Sequence, residues 1–116
     1  MSYAIYLEIQ NHFLYDDKPA TQGLVKLSEE IGAPLVATND AHYIKRSDAK
    51  AHDVLLAIQT GSTVDDENRM RFANDEFYLK SESEMMELFP EHPEAIENSH
   101  KIAERCNVEF EFGEYH

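Results

Sequence analysis

The residues with the most chemical promise are Asn39, Asp40 and His42, at the end of the apolar run PLVATN. Alternation along a strand sends residues two apart to one face, so Asp40 and His42 would project together. A carboxylate beside an imidazole suits Zn²⁺ or Mn²⁺, which accept mixed oxygen and nitrogen ligands. The C-terminal edge of a parallel strand is also where α/β barrels carry their active sites. D-x-H is nevertheless short, and on spacing alone a capped turn with a surface histidine is the better reading. Glu8 and His12 form a second cluster, on the same edge as Asp40 if their strand runs parallel to the first. Two readings stand for Glu8: it faces a polar cavity, because an unpaired buried charge is costly, or it lies on a wet face by ordinary alternation.

The other polar residues suggest structure. His52 sits within AHDVLLAIQTG and reads as a packing residue, while DDEN, with Asp65 and Asp66, reads as turn or cap. His92, His100 and His116 share no ligand-like spacing and are expected at the surface. Cys106 is expected on the apolar face of a helix as a small hydrophobe. The sequence has no P-loop, no GxGxxG and no G-x-S-x-G. Arg69, Arg71 and Lys80 are too few to make a nucleic-acid stripe.

The elements that must position these groups follow from apolar periodicity. Residues 4–10 read as a strand, and residues 20–31 as a helix with Leu24, Leu27 and Ile31 on one face. Gly32 and Pro34 stop that helix, and PLVATN then forms a buried strand. This βαβ order predicts a parallel pair. Ser47 is expected to cap a helix carrying Ala51, Val54, Leu55 and Ile58 on one stripe, ending near Gly61. Residues 62–75 read as a loop and 76–80 as a strand. Ser81 and Glu84 match a capping box, and Pro93 suits the first turn of a last helix bearing Ile96, Ala103 and Cys106. In VEFEF, Val108, Phe110 and Phe112 alternate with Glu109 and Glu111, as in a strand.

The chain has 116 residues, 42% of them apolar, enough for one modest core. With 23 acidic and 10 basic side chains, its formal charge of −13 argues against direct nucleic-acid binding. Six Phe and six Tyr argue against disorder. No apolar run reaches the length of a membrane span, and no signal-peptide pattern follows Met1. One cysteine excludes an internal disulfide and fits a reducing compartment, so a cytoplasmic location is expected.

Four segments together carry a more specific message: YLEIQNH at 6–12, PLVATNDAHYIKRSDAKAHDVLLAIQTG at 34–61, FYLKSESEMMELFPEHPEAIEN at 77–98 and IAERCNVEFEFGEYH at 102–116. Their order and spacing resemble the C-terminal part of the PHP (polymerase and histidinol phosphatase) domain of bacterial replicative DNA polymerase III alpha subunits. The resemblance implies an α/β fold, a partial PHP-type β/α barrel of a few parallel strands with packed helices. Residues 1–45 would be its C-terminal βαβ part, and residues 46–116 a helical and strand extension toward the polymerase palm, in one structural unit. It also implies a polynuclear centre of divalent metal, Zn or Mn, supporting 3′–5′ exonuclease activity. Asp40 and His42 match the late D-x-H ligands, with Glu8, His12 and Asn39 adjacent to the site. The earlier ligands would lie upstream of Met1, and Cys106 does not correspond to the ligand cysteine. A fragment is therefore expected: inactive alone, reaching DNA only through its parent, and prone to self-association through exposed sheet edges. Its partners would be the remainder of the alpha subunit and a proofreading exonuclease subunit, with no membrane involved. The alternative is a non-catalytic scaffold that docks such an exonuclease or stabilises the polymerase. A free-standing phosphoesterase would need a complete ligand set.

Overall fold

The computed structural model describes residues 5–113. Strand β1 (Leu7–Ile9) leads into helix α1 (Asp17–Ile31), which returns to strand β2 (Leu35–Ala37). A 3₁₀ turn (Arg46–Asp48) precedes α2 (Ala49–Gln59), and α3 (Glu82–Leu88) and α4 (Pro93–Arg105) complete the order. The strands pair in parallel, with Leu7 opposite Leu35, Glu8 opposite Val36 and Ile9 opposite Ala37. The fold is thus mixed α/β with the expected βαβ unit, and among the described residues its sheet has two strands.

Each element has a local cause. Helix α1 starts at Asp17, earlier than periodicity suggested, because the Asp17 carboxylate accepts the backbone N–H groups of His12 (2.8 Å) and Leu14 (3.0 Å) and closes the β1–α1 loop. It ends at Gly32, whose φ of 70° admits the left-handed cap and lets its N–H reach Ser28 O. Ser81 and Glu84 form the anticipated capping box on α3, and Pro93 opens α4. The 3₁₀ turn places Ser47 before α2, and the Asp48 carboxylate, rather than Ser47, accepts a backbone N–H, that of Lys45.

The core gathers Ile9, Leu35, Ala37, Phe89, Ala95 and Ile96, with Leu24, Val25, Met85 and Leu88 packed at its edge. Ile9 is wholly buried, which stabilises the fold by about 1.5–3 kcal/mol. Helix α4 covers β2 and fixes its register by a hydrogen bond from Asn98 Nδ2 to the Leu35 carbonyl (2.7 Å).

Five expectations need correction. Residues 76–80 do not form a full strand; a single parallel bridge joins Tyr43 to Tyr78, because side chains occupy the carbonyls a neighbouring strand would use. The VEFEF segment forms no strand: Val108, Phe110 and Phe112 are all exposed, with no sheet edge beside them. Cys106 lies just beyond α4 and is exposed, since the helix ends at Arg105 before a turn could carry the thiol inward. In α2 the buried residues are Leu56 and Ala57, while the expected inner stripe of Val54, Leu55 and Ile58 faces outward. Leu27 and Ile31 of α1 are likewise exposed, and Leu24 and Val25 make the contact with the core.

Candidate functional site

The parallel strands bring their C-terminal ends together, and the residues following them meet. His12, just past β1, is buried and stacked on Phe77 with ring centroids 4.2 Å apart. Its Nε2 lies 2.8 Å from the Asn39 carbonyl, to which the imidazole N–H donates. Asn74 Nδ2 in turn donates to the His12 carbonyl (2.6 Å). His12 thus clamps the β1 exit to the β2 exit.

Asn39 holds the other side. Its Nδ2 donates to the carbonyls of Tyr78 (2.7 Å) and Glu76 (3.1 Å), and its Oδ1 accepts from Lys80 Nζ at 3.4 Å. Asp40 then adopts a left-handed φ of 48°, which an aspartate tolerates better than most residues. The chain has left the strand at Ala37, so the alternation argument does not apply beyond it. The turn still brings Asp40 and His42 together: His42 Nδ1 sits 2.7 Å from the Asp40 carbonyl and 4.0 Å from its Oδ1. A carbonyl can only accept, so Nδ1 carries the proton in the neutral ring and Nε2 keeps its lone pair. Both side chains are partly open to solvent, 37% exposed for His42 and 54% for Asp40. Aromatic neighbours steady the His42 ring: Phe72 at 4.7 Å, His52 at 5.5 Å and Phe77 at 6.0 Å. His52 is therefore a packing residue in the ring cluster.

Glu8 takes a different role from its neighbours. It lies on the exposed face of β1, accepting a hydrogen bond from Thr38 Oγ1, which also accepts one from Gln10 Nε2 (2.8 Å). Among the described residues no three His, Cys, Asp or Glu side chains converge as a metal site. The chain offers a pair of donors, Asp40 and His42.

Around this loop lies an ionic framework whose pairing the sequence does not announce. Arg46 Nη1 binds Glu76 (2.7 Å) and Asp75 (2.8 Å), and Lys80, with its side chain 3% exposed, binds Glu76 Oε2 at 3.2 Å. Burial resists ionisation of Glu76, but the bonds from Arg46 and Lys80 outweigh it and hold the carboxyl below its usual range. Arg46 and Lys80 also flank the Tyr78 ring, 4.8 and 4.2 Å from its centroid. The Tyr78 hydroxyl donates to Glu84 (2.7 Å), which raises the phenol's pKa. Farther along, Arg69 is buried and forks onto Asp53 of α2 at 2.6 and 2.7 Å, holding that carboxyl below its usual range. Asp66 caps a turn by accepting the Thr63 N–H (2.7 Å), as DDEN suggested. His92 and His100 stand near the surface beside Glu94 and Glu104, and His116 lies outside the described residues.

No family model matches the chain. Curated relatives do match, at high identity. DNA polymerase III subunit alpha of Borreliella burgdorferi is 49% identical over 102 residues, 88% of this chain. The proteins of the same name from Treponema pallidum and Thermus aquaticus are 46% identical over 103 residues and 44% over 112. The chain belongs to the DNA polymerase III alpha subunit family. It spans about 9% of the length of these relatives, so it corresponds to one segment of the alpha subunit. Within that family segment, no helix among the described residues is long and apolar enough to cross a membrane.

Proposed function

We propose that this chain is the late part of the PHP domain of a bacterial replicative polymerase acting in the cytoplasm. In this reading Asp40 and His42 supply two ligands to a divalent-metal centre, Zn²⁺ or Mn²⁺, completed elsewhere in the longer polypeptide. The observation that carries it is the Asp40–His42 pair. The bond from His42 Nδ1 to the Asp40 carbonyl leaves Nε2 free to ligate, and the Asp40 carboxylate stands on the same turn. These donors suit Zn²⁺ or Mn²⁺, and two of them make a contribution to a site rather than a whole one. When bound, such metals polarise a phosphate and activate a water for phosphodiester hydrolysis at a DNA 3′ end. His12 and Asn39 position the turn that presents the pair, and Glu8 supports the strand beside it.

The test uses the full-length subunit carrying this segment. Asp40→Asn and His42→Gln are expected to lower nucleotide release from the 3′ end of single-stranded DNA at least tenfold, with primer extension by the same preparations retained. Equal release by all three proteins would reject the ligand assignment. The isolated chain is expected to release none.

A second reading is favoured by the missing third ligand among the described residues and by the rigid ionic framework. Here the segment is a non-catalytic scaffold that stabilises the polymerase or docks a proofreading exonuclease. Calorimetric titration of Zn²⁺ and Mn²⁺ into the full-length subunit separates the two, since a scaffold would show the same stoichiometry with and without Asp40→Asn.

A further inference from the structure

Residues 76–80 grip the Asp40–His42 turn from both sides without forming a strand. Ahead of the turn, Asn39 Nδ2 donates to the carbonyls of Tyr78 (2.7 Å) and Glu76 (3.1 Å). Behind it, the His42 N–H donates to the Phe77 carbonyl at 2.8 Å, and the Leu79 N–H reaches Tyr43 O at 3.0 Å. A full ladder would fix the shape of such a segment, but a single bridge, Tyr43 to Tyr78, joins it to its neighbour. Lys80 supplies the constraint instead. Its Nζ reaches back over the segment to the Glu76 carbonyl and to Glu76 Oε2 (3.2 Å), and donates to Asn39 Oδ1 at 3.4 Å. These three acceptors match the three N–H groups of an ammonium, and the Tyr78 ring centroid lies 4.2 Å away. The side chain is 3% exposed.

We infer that Lys80 is a positioning residue of the proposed metal centre: its ammonium staples residues 76–80 into the shape that keeps Asp40 and His42 in register for one ion. The inference rests on the metal-ligand reading above. A buried ammonium needs such a reason, since an apolar side chain of like length would fill the space without the cost of desolvation. What the charge adds is direction. Lys80 and Asn39 share the Glu76 carbonyl and bond each other, so the ammonium fixes which way the Asn39 amide faces. A flipped amide would turn its NH₂ toward the ammonium and its oxygen toward two carbonyls. Asp40 follows Asn39 directly, in a left-handed conformation (φ 48°) that costs energy and has to be held from outside. Glu76, the other end of the staple, is itself anchored by Arg46 at 2.7 Å. Lys80 therefore acts on the ligand pair through Asn39 on one side and the Phe77 carbonyl on the other.

The experiment titrates Zn²⁺ calorimetrically into the metal-stripped full-length subunit and into its Asp40→Asn, Lys80→Met and Asn39→Ala variants. Methionine keeps the apolar stem of Lys80 but offers no donor, and Arg46 remains to pair Glu76. Lys80→Met is expected to weaken the Zn²⁺ site that Asp40→Asn removes by about 10–100-fold, the usual effect of losing a group that orients a ligand. Asn39→Ala should weaken it comparably. Adding Lys80→Met to Asn39→Ala should then cost less than about threefold more, because two residues acting along one path are not additive. Primer extension, read on the same preparations, should be retained. Extension lost along with Zn²⁺ affinity would make Lys80 a prop of the whole fold and overturn the positioning role. Unchanged affinity in Lys80→Met or in Asn39→Ala would overturn it too, as would losses that simply multiply in the double variant. If Asp40→Asn itself binds Zn²⁺ as the unaltered subunit does, the ligand reading fails and takes this inference with it. That result is distinct from an unaffected Lys80→Met beside a weakened Asp40→Asn, which rejects the inference alone.

Discussion

Residues 7–37 and 82–105 pack around Ile9 and Ala95 and are held by apolar burial, whereas residues 43–80 are held by ions and rings. In the first region the buried side chains are aliphatic or aromatic and mutually packed. In the second, Arg69, Lys80 and Glu76 share the interior with Leu56, Ala57 and Phe77, and His42, His52, Phe72 and Phe77 form a cluster of edge-to-face rings. The Asp40–His42 turn lies on the seam, tied by His12 to one region and by Asn39 to the other. Burial of hydrocarbon is indifferent to pH and tolerant of small shifts. Charge-assisted bonds are directional and fail when one partner is neutralised. A turn whose side chains must keep a fixed geometry is thus bolted to the directional framework, and that framework is anchored on the apolar one.

The contrast breaks most visibly in the core. Ile9→Ala removes a side chain with no solvent exposure, and a cost of about 2–5 kcal/mol is expected by urea unfolding. Both regions should melt together in that variant, because β1 and β2 carry the turn that the second region grips. Separate melting of the two would show that residues 43–80 hold themselves up without the core.

Acid should distinguish the regions next. Glu76 and Asp53 have carboxyl pKa values lowered in the folded chain, Glu76 by Arg46 and Lys80 against its burial, Asp53 chiefly by Arg69. Glu84 is lowered too, first by the Ser81 N–H and then by Tyr78. A lowered folded value means that these groups contribute stability above the ordinary carboxylate pKa of about 4 and lose it as pH falls through the folded values. Amide exchange in residues 43–80 and in the first turn of α3, where Glu84 sits, should therefore accelerate below about pH 4 while β1, β2 and α4 stay protected. Uniform acceleration would mean that the two regions open as one. At the alkaline end the sign reverses. Tyr78, raised by its bond to Glu84, contributes below the ordinary phenol pKa and loses that contribution as pH rises through the folded value.

A single cut in the framework should do less. Arg69→Met removes the fork to Asp53 and the bonds to Val64 and Met70 while filling part of the same volume. A drop of several degrees in Tm is expected, with proteolysis within residues 62–75 rising before global melting. Unchanged proteolysis would show that Phe72 and its ring neighbours fix the loop without Arg69.

The two regions also differ in how far the sequence reveals them. Strand, helix and strand in residues 7–37 were legible as elements from their apolar runs and spacing, although α1 meets the core through Leu24 and Val25 rather than Leu27 and Ile31, and Gly32, Ser81, Glu84 and Pro93 mark their own positions because caps are local. The α2 stripe was legible as a pattern, but the face turned inward, that of Leu56 and Ala57, was not, since periodicity marks an apolar face without saying which neighbour meets it. Arg69 and Lys80 read as ordinary surface cations because their acceptors, Asp53 and Glu76, are chosen by folding and not by spacing. The candidate site was legible as residue types. Asp40 and His42 do meet, yet through a left-handed turn after the strand rather than by strand alternation. Asn39 looked like a neighbour of that pair, and its carbonyl clamps to Glu76 and Tyr78 become visible only once residues 39 and 78 are adjacent.

The smallest test compares two glycines on one helix. A Cβ added at Gly23 or at Gly32 would meet nothing within 4 Å, so neither substitution creates a clash and the backbone alone decides the outcome. Gly23 lies inside α1, where alanine is favoured over glycine by about 1 kcal/mol, so Gly23→Ala should stabilise by that amount. Gly32 holds φ at 70°, where a Cβ crowds the following carbonyl, so Gly32→Ala should cost about 1–2 kcal/mol. Gly32→Asn should recover part of that loss, because asparagine visits the left-handed region more readily. Urea midpoints moving in opposite directions for the two alanines would confirm that the α1–β2 corner is fixed by its backbone. If Gly32→Ala instead proved neutral, the corner would be set by burial of Leu35 and Ala37 alone, and the left-handed cap would follow from the packing rather than direct it.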